Sequence, residues 1–270
     1  MPWAVPLLRW AGSKRALLPV LLRNIPGNFT RYHEPFAGSA CLFFAVRPHC
    51  AVLGDTNAEL MRTYDVIRRH PRLTARRAAA WKPTVRTYNR LRSAEPAALS
   101  PIVRAARFVF LNRHSFNAVY RTNRQGAFNV PMGSRTGNLK PEAAFYRCAM
   151  ALRSASLHTG DFVACLTGLG AGDFVYLDPP YTSRTRRGYG EYGYDCFSAR
   201  DESRLLSCLM ELDSAGATFV LSYTQRPILT NLPATWSKLS VRVRRHVAGF
   251  ANYRRTIREL IISNRHLIAG

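Results

Sequence analysis

Apolar residues along the first third of the chain follow two alternating rhythms. SKRALLPVLLRNIP spaces Leu17, Leu18, Leu21 and Leu22 on one helical face, interrupted by Pro19 and ending before Pro26. RYHEPFAGSACLFFAV reads as a strand, a glycine-containing turn and a short helix. CAVLGDTNAELMRTYDVIRRH reads as a strand over Cys50–Leu53, an acid-bearing turn and a helix from about Asn57, with Leu60, Tyr64 and Ile67 inward. A strand–helix–strand unit predicts a parallel sheet.

The rhythm breaks over residues 60–150. Helix-like pieces such as PIVRAARFVFLNRH alternate there with a polar, Gly- and Asn-rich stretch, NAVYRTNRQGAFNVPMGSRTGN. This predicts a mostly helical insertion with a β-hairpin. The α/β pattern then resumes with a short strand at Ser156–His158, an apolar strand at Phe174–Leu177, a helix over Asp201–Leu212 and a strand in ATFVLSY. KLSVRVRR and TIRELIIS supply two last strands. The expected architecture is an α/β main domain over residues 1–59 and 154–270, split by an insertion over residues 60–153.

Charge changes what this insertion is expected to do. The chain carries 39 basic and 16 acidic residues, a net +23, and only Lys14, Lys82, Lys140 and Lys238 are lysines. An arginine-biased coding composition explains the few lysines but not the sign imbalance. From Arg62 to Arg153 there are 19 basic residues against three acids, Asp65, Glu95 and Glu142. That third of the chain therefore holds +16 of the +23, and a polyanionic partner, most simply nucleic acid, is expected. The six cysteines form no C-x-x-C and no zinc-like spacing with histidine, so free buried thiols and no metal are expected. MPWAVPLLRWAGSK shows no cleavage signature, and no segment is apolar enough to span a membrane. These readings predict a reduced, cytoplasmic protein.

Ligands of open α/β sheets bind outside the carboxyl ends of the strands. Three polar features fall at such ends: Pro35–Gly38, Asp55 and Asp178. Each has an ordinary reading, as a turn glycine or a helix N-cap. VYLDPPYTSRT is the least ordinary. A buried strand runs into a carboxylate, which is expensive to desolvate, and two prolines that stiffen the chain.

Together the motifs carry a resemblance. Phe36-Ala-Gly-Ser-Ala40, Asp55 and Asp178-Pro-Pro-Tyr181 resemble the motifs of S-adenosylmethionine-dependent amino-methyltransferases. LRWAGSK precedes EPFAGSA, the basic insertion precedes DPPY, and RELIIS follows near the end. This order, and the stretch FLNRHSFNAVYRTNRQGAFNVPMG (Phe110–Gly133), is similar to the Dam-like N6-adenine DNA methyltransferases from about Leu8 to Ser263. The resemblance implies a Rossmann-like methyltransferase sheet, S-adenosylmethionine as methyl donor with S-adenosylhomocysteine as product, no metal, and a monomer acting on double-stranded DNA in a bacterial or phage setting. It implies a cofactor site of Trp10, Ala11, Gly12, Lys14, Phe36, Gly38, Ser39, Asp55, Asp161, Phe162 and Asp178. Asp55 would accept the ribose hydroxyls and Phe162 would pack on the cofactor adenine; plain core packing is the ordinary reading of Trp10 and Phe162, and for Phe162 the two readings stay open.

The target amine is a poor nucleophile because its lone pair spreads into the ring. Asp178 and the carbonyl of Pro179 would accept its two N–H groups, Pro180 would stiffen that carbonyl, and Tyr181 would stack on the extruded base. By the same resemblance Phe116 would enter the base stack and Asn117 would contact the opened pair. Arg121 would read a guanine, and Val119 and Pro131 would touch a thymine methyl. Arg9, Asn112, Arg113, Asn129 and Arg135 complete the expected DNA contacts. The Gly- and Tyr-rich stretch Thr182–Phe197 suits a lid over the flipped base. GATC is the favoured site, with His114-Ser115 and Tyr120 departing from the family hairpin. Ala40 stands where the family has a second glycine, and Ser222-Tyr223 where it has Ser-Asn. An RNA or cytosine-N4 methyltransferase and a DNA-binding relative without catalysis stay open.

Overall fold

The computed structural model describes residues 6–123, 125–134, 137–180, 197–224, 226–244 and 256–269. Tyr181, Arg135 and the expected lid except its last residue, Phe197, lie outside the described residues.

Among the described residues seven strands form one sheet. They are β1 (Arg31–Glu34), β2 (Ala51–Asp55), β3 (Ala155–Thr159), β4 (Asp173–Leu177), β5 (Thr218–Tyr223), β6 (Ser237–Arg244) and β7 (Thr256–Ser263), in the order β3-β2-β1-β4-β5-β7-β6. β7 runs antiparallel to both of its neighbours and the other pairings are parallel. Burial on both faces explains the unbroken apolar run of β4. Phe174 and Tyr176 join one core, while Val175 and Leu177 join the core on the opposite face. The helices on the first face are α1 (Leu18–Arg23), α2 (Cys41–Val46), α3 (Ala58–Arg69) and α7 (Glu142–Leu152), and α8 (Ala199–Ser214) covers the second.

Local chemistry sets the element ends. Pro19 does not interrupt the first helix: it sits in the opening turn of α1, where its missing N–H is harmless. Asn57 caps α3 by accepting from Leu60 N at 3.0 Å. Ser198 and Asp201 form a capping box at the start of α8.

The basic region adds α4 (Pro71–Ala79), α5 (Val85–Ser93) and α6 (Pro101–His114), with their own small core of Ala78, Trp81, Tyr88, Phe110, Phe128 and Val130. Phe110–His114, shared between the helix-like piece PIVRAARFVFLNRH and the stretch that resembles the family hairpin, close α6. The hairpin proper follows, with bridges Ser115↔Met132 and Thr122↔Phe128. Its outgoing arm is the longer one. A 3-10 turn at Phe116–Ala118, with Asn117 in the left-handed region at φ 58°, takes up the excess. The region's three acids are already engaged. Asp65 pairs with Arg68 and Arg69, Glu142 pairs with Arg72 and Arg76, and Glu95 caps its own helical turn. Arg107 is part of the fold rather than the charged surface: it is buried and donates to the carbonyls of Leu91 and Arg92.

Candidate active site

β1 pairs with β2 on one side and β4 on the other, so the sheet changes direction between β1 and β4. A cavity of about 470 Å³ opens there, outside the carboxyl ends of the strands. Trp10, Ala11, Gly12 and Lys14 line it, as do Phe36, Gly38, Ser39 and Asp55. Asp161, Phe162, Asp178, Pro179 and Pro180 complete the expected set. All of the residues expected around a cofactor therefore share one cavity, although they come from five separate stretches of chain.

Gly38 leaves no room for a side chain. Its φ is +47°, and an added Cβ would lie 2.7 Å from Trp10 Cδ1. Its N–H donates to Asp55 Oδ2 at 2.9 Å, and its carbonyl accepts from the Tyr64 hydroxyl at 2.8 Å. Asp55 Oδ1 accepts from Asn57 N at 2.9 Å. Burial pushes the Asp55 carboxyl up, and the two amide donors oppose it. Ala40 does adopt a left-handed conformation, at φ 49°, and is fully buried at the start of α2.

Asp178 follows β4 and meets Lys14 Nζ at 2.6 Å. Lys14 is buried, also donates to Gly12 O at 3.2 Å, and lies 3.8 Å from the buried Glu259 of β7. An ammonium between two carboxylates is what makes a carboxylate tenable at the end of this strand. Glu34, one of the residues that sequence reasoning missed, lines the same cavity. Its Oε2 accepts from the Tyr32 hydroxyl at 2.8 Å and from Phe43 N at 3.3 Å. Burial pushes this carboxyl up to about 8; the Tyr32 bond opposes that and the Asp178 charge reinforces it.

Phe36, Phe162 and Phe197 pack ring to ring at 5.2–5.9 Å on the α8 side of the cavity. Arg204 lies 5.0 Å from the Phe162 ring and bonds Asp161 at 2.7 Å and Asp201 at 2.9 Å. None of Asn57, Tyr120, Phe197 and Asp201 was expected in the cavity wall. Asn57 and Asp201 carried a local signal, each marking a helix start.

The expected DNA contacts form a second group. Phe116 is 44% exposed, large for an apolar ring, and Asn117 is half-buried. Arg121 donates from Nε to Asn129 Oδ1 at 3.0 Å. Pro131 accepts from Phe116 N at 2.9 Å, and Val119 packs against the small core. Arg113 donates to Asn138 O at 2.6 Å, and its pKa is lowered by burial and by the charge of Arg9. Asn112 sits elsewhere. It is buried, and its amide accepts from Arg9 N at 2.9 Å and donates to Arg9 O at 2.6 Å.

A sequence profile of D12 class N6 adenine-specific DNA methyltransferases matches residues 10–247. The chain belongs to this family. It is 30% identical over 272 residues to the type II methyltransferase M1.LlaDCHI of Lactococcus lactis subsp. cremoris, covering 96% of this chain and 95% of that protein. The Retron Ec67 DNA adenine methylase of Escherichia coli is 27% identical over 260 residues, 94% of this chain and 90% of the relative. The DNA adenine methylase of Salmonella typhi is 27% identical over 263 residues, 94% and 93%. As a D12 class enzyme the chain is an adenine-specific DNA methyltransferase with a Rossmann-like sheet. Its departures from the family pattern are locally satisfied: Tyr223 is buried and donates to Glu202 at 2.8 Å, and Ser222 lies 3.1 Å from the Tyr176 hydroxyl.

Proposed function

We propose that this enzyme transfers a methyl group from S-adenosylmethionine to N6 of an adenine flipped out of duplex DNA, within GATC or a closely similar site. One observation carries the reading: Asp178, tied to Lys14, opens into the same cavity as Asp55 and the Gly38 turn.

The cavity suits the donor. Each Asp55 oxygen accepts one backbone amide and keeps capacity for a ribose hydroxyl. The bare Gly38 lets the backbone approach the methionine portion. Trp10, Phe36 and Phe162 offer apolar surface to the adenosine. S-adenosylmethionine supplies an electrophilic methyl group when bound. The protein's own part is positional. Asp178 accepts one N6–H and the Pro179 carbonyl the other, which favours a tetrahedral nitrogen with its lone pair directed at the methyl. Asp178 also receives the proton that N6 sheds. Tyr181 stacks on the extruded base.

On the recognition side, Phe116 fills the gap left by the base and Asn117 contacts the opened pair. The Arg121–Asn129 bond uses Nε and not the two terminal nitrogens, which suits a forked contact to guanine. Arg9, Arg113 and Arg135 serve phosphates or base edges, and Val119 and Pro131 meet a thymine methyl. The protein acts as a cytoplasmic monomer.

Expression in a bacterial strain without adenine methylation, followed by mapping of methylated bases, tests this. New N6-methyladenine in one short motif is expected. Its absence, or methylcytosine in its place, overturns the proposal. Asp178→Ala should abolish transfer while the fold persists, because Lys14 keeps Glu259 beside it. Arg121→Ala should relax the site at one position more than it weakens binding, since a bidentate contact discriminates by about 1–3 kcal/mol.

A further inference from the structure

Tyr120 belongs to the hairpin, between Val119 and Arg121, yet it also lines the cavity that holds Asp55 and Gly38. Its ring stacks on Trp10, with centroids 5.8 Å apart and planes at 16°. It also packs on Phe108 of α6 at 5.2 Å and on Phe128 of the returning arm at 5.4 Å. Trp10 in turn lies so close to the Gly38 turn that no Cβ would fit between them. A continuous packed path therefore runs from that turn through Trp10 and Tyr120 into the hairpin. The Asn112 amide locks a second point of the same junction by holding both backbone polar groups of Arg9, the residue before Trp10. Trp10 is thus joined to the hairpin through Tyr120, while its neighbour Arg9 is fixed to the end of α6, from which the hairpin starts.

We propose that Tyr120 is a cofactor-site residue supplied by the recognition hairpin, and that its stack on Trp10 makes cofactor occupancy and hairpin position depend on each other. This deepens the reading above and rests on it. A ligand pressing on Trp10 bears on the backbone segment that carries Val119 and Arg121. By linkage, a DNA site that fixes this segment tightens the cofactor by the same factor. Packing alone would give Tyr120 a role in stability and none in ligand binding.

The test is calorimetric titration of the intact protein with S-adenosylhomocysteine, with and without a short duplex carrying one GATC. In wild type, the duplex should tighten S-adenosylhomocysteine several-fold. Tyr120→Leu, which keeps apolar bulk against Phe108 and Phe128, should weaken S-adenosylhomocysteine alone by about three- to tenfold, the usual size of a lost ring pair. It should also bring the duplex-induced tightening towards one. Tyr120→Phe should retain both properties within about twofold, because the ring pair survives. Wild-type affinity and an unchanged tightening factor in Tyr120→Leu overturn the proposal. A wild-type protein that does not bind S-adenosylhomocysteine at all would instead overturn the cofactor reading beneath it.

Discussion

Glu34→Gln replaces a carboxyl that lies 2% exposed at the cavity floor with a neutral side chain of the same shape. Burial moves Glu34 from an ordinary value of 4.5 to about 8. Between those values the folded protein keeps a proton that the unfolded chain releases. Stability therefore falls as pH rises, by about 1.4 kcal/mol per unit. From pH 5.5 to 7.5 this amounts to roughly 2–3 kcal/mol, and the loss levels off above the folded pKa. Burial lowers the pKa of the neighbouring His33, so that group acts in the opposite sense, gaining stability as pH rises. The wild-type curve alone is thus ambiguous, and the difference between the two proteins isolates Glu34. Urea unfolding of both, without cofactor, at half-unit steps from pH 5 to 8 measures it. The variant should match wild type near pH 5 and exceed it by roughly 2–3 kcal/mol at pH 7.5. Parallel curves would show that Glu34 is ionised in the fold, and the argument would fail.

Gly38→Ala should both destabilise the fold and weaken S-adenosylhomocysteine at least tenfold, because the new Cβ meets Trp10 at 2.7 Å and φ is +47°; thermal unfolding and titration read the two effects. Ala40→Gly should change little. Relief of the left-handed alanine is worth about 1–2 kcal/mol. Against it stand about 0.4–1 kcal/mol of added unfolded-chain freedom and about 0.8 kcal/mol for the lost buried methyl. The melting temperature should therefore stay within a few degrees; a large rise would show that the methyl packs poorly.

Most of the sheet was legible because its signals are local. Short apolar runs located each strand, helical spacing located α3, α6 and α8, and Asn57 announced the start of α3. Asp178, Asp55 and Gly38 were legible as a set because strand ends converge in this class of sheet. Where signals overlapped, two readings stood side by side. Phe110–His114 fit both a helix end and the family hairpin, and helical burial against the small core decided for the helix. The places of Tyr120 beside Trp10 and of Asn112 on Arg9 were not legible for a different reason. Those partners stand far away in sequence, 103 residues in the case of Asn112 and Arg9, and no periodicity encodes such a pairing. Glu34 was missed although its partners Tyr32 and Phe43 are near in sequence, because a carboxylate in a short strand carries no signal of its own. Arg107 was counted as surface charge because composition cannot distinguish a guanidinium that faces water from one bonded to carbonyls.

The ion pairs around Lys14 also bear on how this chain is made. A ribosome releases Lys14 early, but Asp178 is added 164 residues later and Glu259 later still. Asn24 likewise waits for Ile268, whose amide and carbonyl it binds. Contacts this distant close slowly and reward the chain only at the end. Lys14 therefore meets its two carboxylates only late in synthesis, and the cavity it lines is among the last parts of the molecule to be completed. A nascent chain stalled before β7 would carry the basic helices α4, α5 and α6 complete, beside a cavity still lacking Glu259.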